Sequence, residues 1–271
     1  MSSSCSGSCG SCSSCSSCGE DKLGKKMALI KRKIFVLSGK GGVGKSSVAA
    51  AIALKLAASG RKVGLLDADF HGPSQPTIFG AQSQKMGYSE ENGIIPLPVS
   101  GVALVSVGLL LDDPDQAVVW RGPAKMGVLK QLLEDTSWGE LDDLVLDFPP
   151  GTGDEILSAC QLIPGEKQAV VVTTPQEVSL ADCRKCLDFC SKVEVKVSGI
   201  VENMSCFICP DCGKSHALFS ADGGKKMAEN YHLPLLAQLP LDPAFMTACD
   251  SGELPSEIDS FAAFDKIIEN L

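Results

Sequence analysis

Apolar and polar positions divide this chain into two regimes. Residues 1–19 hold ten Ser, five Cys, three Gly and Met1, a composition with nothing to bury in a core. Glu20 to Lys33 reads as a charged connector. Beyond it the apolar runs begin. Ile34 to Leu37 reads as a short buried strand entering a Gly-rich turn, Ser46 to Ala58 as an Ala/Leu-rich helix ending near Gly60, and Lys62 to Leu66 as a second strand. Further strands are predicted at Val102 to Val107, Leu144 to Leu146, Ala169 to Val172, Val195 to Val201 and Leu235 to Leu239. Helix-compatible segments lie between most of them, at Ala124 to Glu134, Val178 to Cys190 and Ala221 to Asn230. Apolar strands without alternation are those covered on both faces. Strand–helix alternation therefore predicts an α/β fold with a doubly wound, mostly parallel sheet and a ligand beyond its C-terminal strand ends. The predicted organisation is a flexible Ser/Cys-rich tail, residues 1–26, and one domain, residues 27–271; translation from Met27 would leave the domain alone.

The turn after the first strand carries the first chemistry. Gly39-Lys40-Gly41-Gly42-Val43-Gly44-Lys45-Ser46 matches G-x-x-x-x-G-K-[ST] and lies between a strand and a helix, where the motif must lie. Glycines let the backbone curl until successive N–H groups face phosphate oxygens, and the helix N-terminus adds partial positive charge. Lys45 is placed to reach the β- and γ-phosphates, and the Ser46 hydroxyl to ligate Mg2+. Gly39 through Ser47 is thus the predicted ATP-binding segment. Asp67 and Asp69 follow one strand end, and Asp147 follows another. Magnesium takes oxygen ligands and keeps several waters, so carboxylates near Ser46 suit it.

Composition then narrows the setting. With 271 residues, 44% of them apolar, the chain is long enough for one large domain. A net charge of −9 argues against a broad grip on nucleic acid. The longest apolar stretches, such as Gly101 to Leu111, are too short to cross a bilayer. The N-terminus has no apolar core of a secretory signal. Thirteen cysteines in such a chain point to reduced thiols or metal ligands, and to the cytoplasm.

Three of those cysteines stand together in Cys206-Phe207-Ile208-Cys209-Pro210-Asp211-Cys212. A C-x-x-C pair brings two thiolates to one side of a turn, half of a four-thiolate site. A two-fold axis completes the set, because an isologous interface places the same pair opposite itself. A local zinc site from Cys206, Cys209, Cys212 and His216 is the competing reading. Cys183, Cys186 and Cys190 fall at helical spacing and, with the isolated Cys160 and Cys249, read as core packing. In the tail, Cys9, Cys12, Cys15 and Cys18 are spaced C-x2-C-x2-C-x2-C, which fits either a wrapped cluster or a low-complexity segment.

The extra lysine of the loop, Lys40, makes it similar to the deviant P-loop of the MinD/ParA/nitrogenase-iron-protein class. That resemblance implies a nucleotide-sandwich dimer in which Lys40 contacts phosphates bound to the opposite subunit. It further implies that Asp69 orients the attacking water, Asp147 holds the magnesium shell and Asp67 supports it. Gly151 would lie in the segment that senses the γ-phosphate, and Asn203 would read adenine, with Pro240 to Pro243 nearby. Asp67 to Ser74, Trp120 to Pro123, Trp138 to Leu141, Asp147 to Asp154 and Glu202 to Ser205 together resemble the Mrp/ApbC group of iron–sulfur cluster carriers, which includes the eukaryotic cytosolic NUBP-type scaffolds. The resemblance runs from about Lys33 to the C-terminus. It implies an ATP hydrolase that holds a 4Fe–4S cluster on Cys209 and Cys212 at a homodimer interface and hands it to apo-proteins, with Cys206 substituting or sitting nearby. Two other roles in the wider class fit less well. A MinD/ParA-like organiser needs a basic amphipathic C-terminus for membrane binding, whereas Phe261 to Leu271 is amphipathic but not basic. A nitrogenase-reductase-like donor places a cluster cysteine soon after the aspartate of Asp147, and Asp147 to Glu155 holds none.

Overall fold

The structure is a computed structural model that describes residues 22–111, 113, 120–254 and 259–271. The tail cysteines Cys9, Cys12, Cys15 and Cys18 lie outside the described residues. In chain order the strands are β1 (Ile30–Ser38), β2 (Val63–Asp67), β3 (Gly87–Ser89), β4 (Gly93–Ile95), β5 (Leu97–Val99), β6 (Val102–Ser106), β7 (Leu141–Asp147), β8 (Lys167–Thr173), β9 (Lys196–Glu202), β10 (Phe207–Ile208), β11 (Ser215–His216) and β12 (Leu235–Gln238). The helices are α1 (Lys22–Ala28), α2 (Lys45–Ala58), α3 (Gln75–Ile78), α4 (Gly122–Glu134), α5 (Asp154–Leu162), α6 (Glu177–Lys192), α7 (Gly223–Asn230), α8 (Pro243–Ser251), α9 (Asp259–Ala262) and α10 (Asp265–Glu269).

Eight strands form one sheet in the order β12-β9-β8-β1-β7-β2-β6-β5. All its pairings are parallel except that of the edge strand β5 with β6. This is the mostly parallel, doubly wound α/β architecture that the alternation predicts. Burial explains why the inner strands are apolar without alternation: Ile34 to Leu37 and Val170 to Val172 are all fully buried.

The main departure from the sequence reading is at the N-terminal side. The stretch read as a charged connector contains helix α1, with Leu23 and Met27 buried, and the first residues of the central strand β1. The charges hid the strand. They are tolerated there because β7 sets carboxylates beside them: Lys31 pairs with Asp142 at 2.7 Å, and the buried Asp143 accepts from both Arg32 and Arg61. Helices α5 and α8 and the small β3–β4 hairpin are also absent from the sequence reading. The C-terminal segment packs inward. Phe261, Phe264 and Ile267 are buried, the Phe261 and Phe264 rings sit 5.6 Å apart, and Lys55 of α2 lies over Phe261 while pairing with Asp265. Among the described residues no helix is long and apolar enough to cross a membrane.

Candidate functional site

Parallel pairing gathers the chemistry at one sheet edge. Register places Asp67 opposite both Asp147 and Ser106, and Asp147 opposite Val36, two residues before the end of β1 and the loop that follows it. The three strand ends therefore deliver the loop and both carboxylates to one place. The loop turns through Gly42 and Gly44, at φ 77 and 80, a left-handed conformation that side chains resist. Gly44 is the N-cap of α2 and offers no side chain to its first amides, so these donors face outward for an anion. The cavity in front of them holds about 610 Å3 and is lined by Lys40, Gly41, Gly44, Lys45, Ser46 and Asp69, among others.

Beneath the cavity is a buried polar cluster. Lys45 pairs with Asp147 and donates to Ser46 Oγ at 3.2 Å. Asp67 is fully buried and accepts from Ser106 Oγ, from the Gln75 backbone N–H and from the Asp69 N–H, at 3.1, 3.1 and 3.2 Å. Burial first, and the charge of Asp147 second, push the Asp67 carboxyl well above the usual carboxylate range. Asp69, half-buried, lines the cavity itself and accepts from the Gly72 N–H at 3.3 Å. Gly151, at φ 97, donates to the Ser38 carbonyl at 2.8 Å, which ties its loop to the end of β1. Lys40 is exposed at the cavity mouth.

A second cavity of about 230 Å3 adjoins the first, sharing Gly42, Gly44 and Ser47 with it, and is walled by Asn203, Met204 and Pro240 to Asp242. The Asn203 amide donates to the Val43 carbonyl at 2.9 Å, bracing the loop from the side. Cys249, read from sequence as an isolated core cysteine, is buried, yet it lines both cavities. Cys183, Cys186 and Cys190 are fully buried core residues, as their spacing suggests.

The cysteine motif forms a small hairpin on the same side. β10 pairs antiparallel with β11, Phe207 opposite His216, and the tip closes with the Gly213 N–H donating to the Cys209 carbonyl at 2.9 Å. Cys209 is half-buried and Cys212 exposed. The N–H groups of Cys212 and Asp211, then the Cys212 thiol, point at the Cys209 sulfur and hold its pKa below the ordinary thiol value. Cys206 lies at the stem, where its carbonyl accepts from the Leu241 N–H at 2.7 Å and its sulfur from Ser205 Oγ at 3.9 Å. The stem is thus stitched to Leu241, which also walls the second cavity. Among the described residues no three His, Cys, Asp or Glu side chains gather closely enough to hold a metal ion. Cys206, Cys209, Cys212 and His216 are thus not gathered into one group of three or four, and Cys209 with Cys212 forms a pair at the hairpin tip.

Two buried residues in these surroundings had no role in the sequence reading. Glu202 accepts from Gln238 Nε2 at 2.8 Å and from the Gly224 N–H, joining the end of β9 to the start of α7 and so fixing both roots of the cysteine excursion. Gln75 donates from Nε2 to Asp147 Oδ2 at 2.7 Å and to the Ser46 carbonyl at 3.0 Å. Gln75 lies one residue beyond the segment Asp67 to Ser74, and Glu202 opens the segment Glu202 to Ser205, which carries the resemblance without giving this residue a role; their buried polarity is what marks them.

Comparison with known proteins agrees with this geometry. Residues 29–271 match the model of the ParA family described as NUBPL iron-transfer P-loop NTPases. An iron-sulfur cluster carrier protein of Saccharolobus solfataricus is 50% identical over 233 residues, 86% of this chain and 78% of the relative. The human cytosolic Fe-S cluster assembly factor NUBP2 is 44% identical over 255 residues, 90% of this chain and 93% of the relative. A nucleotide-binding protein from Archaeoglobus fulgidus, solved in complex with ADP, superposes with a TM-score of 0.79 at 35% identity, covering 90% of this chain and 96% of that one. The cell division ATPase MinD of Pyrococcus furiosus, at 23% identity and a TM-score of 0.63, covering 89% of this chain and 98% of that one, shares the fold alone. Loop, carboxylates and thiol hairpin on one frame, with relatives of this closeness, place the chain in the ParA family of NUBPL-type iron-transfer P-loop NTPases.

Proposed function

We propose that this protein is an ATP-dependent carrier of iron–sulfur clusters. Two copies bring their Cys209–Cys212 pairs together around one 4Fe–4S cluster, and the cluster passes to apo-proteins. The observation that carries the reading is the thiol pair itself: a surface hairpin holding two sulfurs, one of them biased toward thiolate, with no group of three metal-binding side chains formed there among the described residues. Such a pair is half of a four-thiolate set, and a second copy supplies the rest.

ATP and Mg2+ fit the residues present. The uncapped amides of α2 and the loop suit phosphate oxygens, and the Ser46 hydroxyl with nearby carboxylates suits a hard cation. Lys45 and the loop amides would hold the phosphates, with Ser46 and Asp147 on the magnesium side and Asp67 bracing Asp147. Asp69, at the cavity wall, would orient the attacking water. Lys40 would reach the partner's nucleotide, and Asn203 would border the base. Bound magnesium supplies charge neutralisation to phosphoryl transfer. Hydrolysis gates loading or release of the cluster, because Leu241 walls the second cavity and also grips the cysteine stem. The same reading gives a homodimer acting in the cytoplasm, without nucleic acid or membrane. The same reading divides the chain into a Ser/Cys-rich tail and one ATPase domain, to which α1 belongs through the buried Leu23 and Met27.

Anaerobic reconstitution with iron and sulfide tests it. The expected product is a dimer with an absorbing, EPR-silent oxidised cluster at about one cluster per two chains, the ratio that two thiol pairs allow. The variant carrying Cys209→Ala and Cys212→Ala should lose it. Unchanged cluster content and transfer in that variant would sink the carrier assignment.

A further inference from the structure

The nucleotide reading leaves one buried group without a task. Gln75 opens α3 and is fully buried beside the cavity. Its Nε2 gives one hydrogen to Asp147 Oδ2 at 2.7 Å and the other to the Ser46 carbonyl at 3.0 Å, while its backbone N–H donates to Asp67 Oδ2 at 3.1 Å. A single residue thus grips the first turn of α2, the end of β2 and the end of β7. The amide orientation is fixed by chemistry, since a flip would turn its oxygen toward two acceptors. The remaining atom, Oε1, is buried and without a partner among the described residues, an arrangement that folded proteins rarely keep without a use.

We infer that Gln75 is a positioning residue for the magnesium–nucleotide complex, its amide holding the Asp147 carboxylate against the backbone of Ser46. The inference rests on the proposed ATP and Mg2+ site. Asp147 has two oxygens, one taken by Lys45 and the other by Gln75. A neutral donor on the second oxygen fixes its direction without neutralising its charge, as the partners of metal-shell carboxylates do. The tie to the Ser46 carbonyl fixes the residue whose hydroxyl serves the same cation. Oε1 is a buried acceptor left without a partner among the described residues, and the waters that magnesium retains are donors. Because Asp69 lies six residues before Gln75 in the same connection, the contact also sets where the water-orienting carboxylate stands relative to the loop.

The test uses the full chain and a fluorescent ADP analogue, titrated in EDTA and in Mg2+. Wild type should bind in EDTA and bind more tightly in Mg2+. Gln75→Met keeps length and apolar volume but donates nothing. It should bind as wild type does in EDTA and lose about 10–100-fold of the magnesium-dependent gain, and the Mg2+ concentration for half-maximal ATP hydrolysis should rise in parallel. Gln75→Glu, close in shape but with a carboxylate where the donor was, should lose at least as much, which guards against a fold defect peculiar to the methionine variant. A residue that merely packs α3 would lower affinity equally with and without magnesium, and that outcome overturns the inference. So does full retention of the magnesium gain in both variants. If wild type itself gains nothing from Mg2+, the nucleotide site fails first, and the inference falls with it.

Discussion

A methyl group at position 39 tests how firmly the phosphate loop is seated. A Cβ built on Gly39 would stand 2.3 Å from the carbonyl carbon of Asp182, 2.4 Å from its oxygen and 2.5 Å from the nitrogen of Cys183. Optimal contacts between such atoms are about 3.5–4.0 Å, so loop and helix must part by roughly an ångström. Helix α6 has little freedom to retreat, since Cys183 and Cys186 are fully buried on the sheet. Overpacking of this kind costs about 1–3 kcal/mol, and a clash of backbone on backbone belongs at the upper end. Two neighbours supply the scale. Gly42→Ala meets nothing within 4 Å but sits at φ 77, so it carries only the left-handed penalty of about 1–2 kcal/mol. Gly41→Ala meets only Pro150 Cγ at 3.7 Å, ordinary contact, and should be close to neutral. At about 2–4 °C per kcal/mol for a domain of this size, Gly39→Ala should melt roughly 6–12 °C below wild type. Thermal melts followed by circular dichroism, with urea titrations as a check on two-state behaviour, read the series. Equal melting temperatures for Gly39→Ala and Gly41→Ala would refute the claim that the loop is pressed against α6.

Other consequences follow from single contacts. The depressed pKa of Cys209 means that its thiolate is populated at lower pH than in a free cysteine; the midpoint of its iodoacetamide alkylation, followed by peptide mass spectrometry, should lie below the free-thiol value. Cys183 and Cys160, pushed up to about 12 and about 11 by burial, should stay unlabelled in the folded protein. Asp143→Ala removes a buried carboxylate from two arginines. Breaking a fully buried pair costs about 3–5 kcal/mol, and since the Arg61 side chain is 39% exposed and finds water instead, we expect about 2 kcal/mol in urea unfolding. Phe264→Ala should cost about 3–5 kcal/mol, because that ring packs on Phe245 and Phe261 beneath the C-terminus; a loss below about 1 kcal/mol would show that the segment is not part of the core.

What the sequence determined by itself was whatever is encoded within a few residues. Glycine spacing from Gly39 to Gly44 dictates a loop that only a strand-to-helix turn accommodates, and Cys209 with Cys212 dictates a thiol pair on a tight turn. Unbroken apolar runs such as Ala169 to Val172 dictate strands covered on both faces, hence a parallel sheet. Tertiary structure decided everything that depends on partners distant along the chain. The charges of Lys31 and Arg32 read as a connector because the carboxylates that let them enter a central strand, Asp142 and Asp143, lie 111 residues away. Gln75 carries no local signature, because its meaning is its contact with Asp147, 72 residues on. Cys249 joins the nucleotide cavities only because α8 packs there, and His216 comes to lie opposite Phe207 only because the chain folds back as a hairpin. Local sterics and hydrophobic periodicity act on neighbours in sequence, whereas burial of a charge or an amide is settled by whichever groups the sheet brings alongside it.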